Sequence, residues 1–89
     1  MVSYNLDSLR NKVDEIDSQL FNLLEERFKV SKLIGIYKKE RGLKIEDKDR
    51  ENDLMDKRKK LSNLPEDFVN KLFELILYES KKIQRAVRN

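Results

Sequence analysis

Between Leu6 and about Arg41 the apolar residues Leu9, Val13, Ile16, Leu20, Leu23, Val30, Ile34 and Tyr37 follow one another at alternating spacings of four and three, with one seam position, the twenty-seventh, left out. That spacing keeps them on one stripe of a helix and marks a seam packed against a partner. The stripe predicts a first helix over 6–41, ended by Gly42 behind the basic turn Lys38-Lys39-Glu40-Arg41. Such a helix is roughly 54 Å long, whereas a compact chain of this length is only about 30 Å across, so most of the seam needs a partner chain.

A loop of Gly42-Leu43-Lys44-Ile45 leads to a second helix over about 46–61, where Glu46 and Asp47 suit the positive helix end. Its apolar content is low, chiefly Leu54, Met55 and Leu61, and charges cover its other faces. A third helix is predicted over about 64–87, capped by Ser62 or Asn63, with Pro65 and Glu66-Asp67 in its first turn. Its inward face reads Phe68, Val69, Leu72, Phe73, Ile76, Leu77 and Ile83. No alternating Val/Ile/Thr run is present, and only two glycines and one proline punctuate the chain. The expected fold is all-α, with one long, one short and one medium helix in a single domain over 1–89.

Composition narrows the chemistry. The 89 residues contain no cysteine and no histidine, which removes disulfides, thiolate nucleophiles, imidazole acid–base work and the usual zinc ligand sets. No cofactor and no metal is expected. Charged residues are 42% and hydrophobic residues 38% of the chain, so a single protomer builds a modest core and gains from self-association. The net charge of +3 comes from 20 basic and 17 acidic side chains intermingled along the sequence, which makes no basic stripe for nucleic acid. No apolar run reaches the roughly 18 residues that a bilayer demands, and Met1-Val2-Ser3-Tyr4 begins no signal peptide. The chain reads as cytoplasmic, with no membrane partner.

The informative positions are those where polar side chains interrupt the seams. Arg27 stands where Leu23 and Val30 call for another apolar residue. A guanidinium there pairs with an acidic neighbour, Glu25, Glu26 or Glu51, snorkels to the edge of the bundle, or holds a bound anion. Lys38 follows eleven residues later, about 20° from the same azimuth and roughly 16 Å along the axis, with Ser31 near the same face. Ser80 and Gln84 interrupt the third helix at i and i+4, and Asp47, Arg50 and Glu51 cluster at the start of the second. Cations, neutral donors and one acceptor, with no poised nucleophile, suit a small polyanion in a dry pocket.

Leu9-Arg10, Glu26-Arg27, Gly35-x-x-Lys38, Asp47-x-x-Arg50-Glu51 and Ser80-x-x-x-Gln84 occur in an order and spacing that resembles the all-helical, AroQ-type chorismate mutases, from about Leu6 to Val87. The resemblance implies rearrangement of chorismate to prephenate, the branch step of the shikimate pathway toward phenylalanine and tyrosine, in an intertwined homodimer of three-helix subunits. It implies that Arg27 and Arg10 hold the two substrate carboxylates, Arg10 reaching into the partner's site. Lys38 and Gln84 would donate to the ether oxygen and Glu51 would accept from the ring hydroxyl. Asp47 would lie nearby, and Arg50 and Ser80 would complete the anion-binding lining. Helix geometry agrees on Arg10, because it precedes Arg27 by about 25 Å, farther than a substrate of about ten ångströms spans.

A unimolecular rearrangement needs only a selected conformer and stabilised charge, which matches an inventory without histidine or cysteine. Two rivals remain at the level of sequence. An isochorismate-pyruvate lyase shares the fold and much of the pocket, and a helical dimerisation or nucleic-acid-binding module would use the long helix as a coiled coil.

Overall fold

The computed structural model describes residues 4–88. Three helices follow in chain order, α1 (Leu6–Glu40), α2 (Lys48–Lys60) and α3 (Glu66–Ala86), and there is no strand among the described residues. No described helix is long and apolar enough to cross a membrane. Asn5 caps α1, its side-chain oxygen accepting from the Ser8 N–H at 2.8 Å. At the other end Gly42 takes a positive φ of 65°. Its N–H bonds the Lys39 carbonyl at 3.3 Å while the Leu43 N–H bonds that of Lys38 at 2.8 Å. This paired closure satisfies the orphan carbonyls of the last turn and stops the helix.

The starts of the other helices differ from expectation. Asp47 is the cap of α2 and not part of it, accepting from the Arg50 N–H at 3.0 Å, so the helix begins at Lys48. Neither Ser62 nor Asn63 caps α3. The Ser62 hydroxyl accepts from the Leu64 N–H at 3.3 Å in the preceding turn, and Pro65 occupies the cap position without a side-chain bond. A residue before proline is pushed out of the helical region, which keeps Leu64 outside and delays the helix to Glu66.

Helix α3 is the centre of the packing, with α1 against one side and α2 against another, and α1 and α2 do not pack on each other. The buried positions are few: Val69 and Ile76 with Ser80 and Gln84 from α3, and Ser31 and Gly35 from α1. Phe68, expected inside, is half exposed, since no other element of this chain covers the outer side of that first turn. The lower seam of α1 is likewise uncovered, with Leu9 45% and Ile16 52% exposed. The chain measures 60 × 25 × 16 Å with a radius of gyration of 17.2 Å, against about 12 Å for a compact chain of this length.

Helices α1 and α3 come closest at Gly35, where a Cβ would lie 2.8 Å from the Gln84 Cα and 2.9 Å from a Val87 methyl carbon. The first of these is backbone and cannot swing away. Beyond it, the Lys39 ammonium donates to the Val87 carbonyl at 3.0 Å, tying the two C-termini together. Gly35→Ala is expected to force the helices apart and cost about 1–3 kcal/mol. Urea unfolding measures this, and a midpoint equal to that of the wild type would contradict the close approach.

Candidate active site

Because α1 and α2 meet α3 without meeting each other, a gap remains between them. It forms a cleft of about 500 Å³, within the range that holds a small ligand. Helix α1 contributes Arg27, Ser31, Ile34 and Lys38 to one wall, and α3 supplies Leu77, Ser80 and Gln84. The α1–α2 loop and α2 form the facing wall through Ile45, Asp47, Arg50, Glu51, Leu54 and Arg58.

Arg27 is half buried, and its Nη1 donates to the Ser80 Oγ at 2.7 Å. The Ser31 hydroxyl lies 3.1 Å from the Ser80 Oγ and donates at 3.1 Å to the Arg27 carbonyl. These neutral groups orient the guanidinium without neutralising it. Among the described residues no carboxylate pairs with Arg27: Glu25 and Glu26 lie exposed, and Glu51 is engaged by Lys81. Burial first, and then the charge of Arg58, hold the Arg27 pKa below its ordinary value.

The Lys38 ammonium donates to the Ile45 carbonyl at 2.9 Å, which fixes it at the loop edge of the cleft with donors to spare. Gln84 is buried, and its Oε1 has no hydrogen-bond partner. Such an orphan is costly unless a ligand or water completes it. Glu51 accepts from Lys81 Nζ at 3.0 Å, and Lys81 also reaches Glu46 at 3.4 Å. Asp47 uses its carboxylate to cap α2, and Arg50 is exposed, 3.8 Å from Asp53.

Seven of the eight residues singled out in the sequence, Arg27, Lys38, Asp47, Arg50, Glu51, Ser80 and Gln84, therefore line one cleft. The eighth, Arg10, does not; it lies exposed near the far end of α1. Two residues escaped the sequence reading. Arg58 lines the cleft from α2, and its signal was the spacing of Asp47, Glu51, Leu54 and Arg58 at four, three and four, which places them on one face. Lys81 had no such signal, standing beside Ser80 and some 100° around the helix from it.

An all-helical cleft lined by several cations and neutral donors has the chemistry to hold a small anion. The chain matches the model of the chorismate mutase type II family over residues 9–85 and belongs to that family of isomerases. It is 31% identical over 83 residues to a protein named chorismate mutase from Methanocaldococcus jannaschii, the alignment covering 90% of this chain and 84% of that relative. No solved structure matches the chain.

Hydrogen bonding to Glu51, more than any other cause, raises the Lys81 pKa above its ordinary value. The sign of the linkage follows: stability from this pair is fully present below the ordinary lysine value and is lost as pH rises through the raised one. Thermal unfolding of wild type and Lys81→Met across neutral to strongly alkaline pH is expected to show a constant difference that shrinks only at the alkaline end. A difference unchanged there would show that the pair does not carry it.

Proposed function

We propose that this chain converts chorismate to prephenate, in the route to phenylalanine and tyrosine, as a cytoplasmic homodimer acting through a single domain per chain. The observation that carries the reading is Arg27, a half-buried guanidinium whose side chain meets only a neutral hydroxyl, in the same cleft as two further donors, the Lys38 ammonium and the Gln84 side-chain NH2. That set asks for an anion bearing an acceptor oxygen beside it. Chorismate supplies two carboxylates, an ether oxygen and a ring hydroxyl.

In this reading Arg27, steadied by Ser80 and Ser31, binds one carboxylate, with Arg50 lending positive charge at the rim. Glu51, oriented by Lys81, accepts from the ring hydroxyl, and Asp47 sets the start of α2 so that Glu51 and Arg50 face the cleft. Lys38 and Gln84 donate to the ether oxygen. As the C–O bond of the ether breaks and the new C–C bond forms, electron density collects on that oxygen, so donors aimed there bind the transition state more tightly than the ground state. No covalent bond to the protein forms. Selection of the compact conformer by the carboxylate contacts supplies the rest.

The half-exposed apolar seam along the lower part of α1 supports the dimer, because a second copy would cover it. Arg10 lies on that arm and serves the partner's site. The reading predicts prephenate formation by the wild type and its loss in Arg27→Ala. Mixing unfolded and refolded Arg10→Ala and Arg27→Ala proteins, each nearly inactive alone, is expected to restore about a quarter of wild-type activity, since half the dimers then hold one intact site. No recovery in mixed dimers would refute the donation of Arg10. A folded wild-type protein that spares chorismate but cleaves isochorismate would instead assign the lyase reaction.

The amide of Gln84 donates at any ordinary pH, whereas a carboxyl donates only when protonated. Turnover by the wild type is therefore expected to stay level from mildly acidic to neutral pH, and that of Gln84→Glu to fall as pH rises. Equal activity of Gln84→Glu at both ends, measured on folded protein, would exclude Gln84 from the ether-oxygen contact.

A further inference from the structure

Arg58 stands on the wall of the cleft formed by α2, seven residues beyond Glu51 and so on the same face. It is half buried, with its guanidinium carbon 5.7 Å from the centre of the Phe73 ring of α3. That distance is near the outer limit of cation–π attraction, so the ring shapes the position of the side chain more than it offsets the charge. No carboxylate among the described residues pairs with it. Asp53 is taken by Lys57 at 3.0 Å and Arg50 at 3.8 Å, and Glu51 by Lys81.

Arg27, on the opposite wall, is equally without a carboxylate, and the two guanidiniums share one partly desolvated space. Their mutual repulsion is felt at Arg27. Two like charges held across a gap, neither in direct contact with a carboxylate, lower each other's stability, and an anion between them reverses the sign of both interactions. Helices α1 and α2 have no packing of their own, so such an anion would also join the two walls.

We infer that Arg58 is a substrate-binding residue, its guanidinium and that of Arg27 gripping one carboxylate of the bound diacid from opposite walls of the cleft. The inference rests on the reading of this cleft as the chorismate site. It adds a cation from the same chain to the one that the partner's arm would bring. A carboxylate keeps its charge throughout the rearrangement, so its contact with Arg58 is as strong before the transition state as in it. Such a contact lowers KM and leaves kcat alone. Lys38 and Gln84, facing the oxygen where charge grows, differ from it in this respect.

Steady-state kinetics on chorismate with wild type, Arg58→Gln and Arg58→Lys test the inference, together with thermal unfolding in the absence and presence of prephenate. For Arg58→Gln the expected result is a KM raised on the order of ten- to a hundred-fold, a kcat within about two-fold of wild type, an unchanged ligand-free midpoint and a smaller upward shift on adding prephenate. Arg58→Lys keeps the charge without the planar fork and is expected to fall between the two. A wild-type KM in Arg58→Gln overturns the inference and leaves the site reading standing, as does a loss confined to kcat or a KM rise that tracks a lowered ligand-free midpoint. A folded, dimeric wild type that does not turn over chorismate overturns both.

Discussion

A guanidinium set into the seam between two helices, with only hydroxyls for company, is the constraint around which this chain is arranged. An unpaired charge in a dry seam is untenable, and one paired with a buried carboxylate would be spent. Arg27 avoids both ends. Its donor bond to Ser80 holds the side chain in place, Ser31 completes the polar patch one turn along α1, and part of its surface stays open to the cleft. For that to work α3 must sit in one register against α1, and Gly35 allows it by letting the backbone of Gln84 approach to a distance no side chain would tolerate. The same close approach buries Gln84 and leaves its carbonyl oxygen without a partner.

The cleft exists because the packing is incomplete. Helix α3 mediates between two helices that do not pack on each other, and the walls they form carry charge: Arg27 and Lys38 on one side, Asp47, Arg50, Glu51 and Arg58 on the other. Lys81, bridging to Glu51 and Glu46 from α3, anchors the α2 wall at its base. A chain with so small a buried interior has little stability to spend on this arrangement. The uncovered seam of α1 is the obvious reservoir, since covering it with a second copy would add apolar burial that a single chain lacks.

The seams made most of this legible. The four-and-three spacing exposed α1 and its break at Arg27, and Gly42 behind a basic turn marked the stop within one residue. The α3 interruptions at Ser80 and Gln84 stood out because their neighbours are strongly apolar. What was not legible follows from the same logic. Helix α2 has too few apolar residues to define an inside, so only its spacing from Asp47, Glu51 and Leu54 sets Arg58 apart from the charges around it. A serine and an asparagine ahead of Pro65 suggest an earlier start for α3, while the backbone restriction imposed by Pro65 decides the matter. Lys81 could not be found by seam arithmetic, since its partner lies on another helix.

The cations of the cleft divide by what they face. Arg27 and Arg58 are forks suited to planar carboxylates, whose charge is the same at every stage of a rearrangement, so in the proposed mechanism their contribution lies in capture and in the choice of conformer. Lys38 is a compact charge with one donor already committed to the Ile45 carbonyl, which aims the others before any ligand arrives, and the Gln84 amide is held by burial. Donors fixed in advance need no reorganisation when charge appears on an oxygen between them, and that is where differential stabilisation arises. A unimolecular reaction asks for nothing else from the protein. On the proposed reading, capture and acceleration are carried by separate side chains, with no acid, base or nucleophile required.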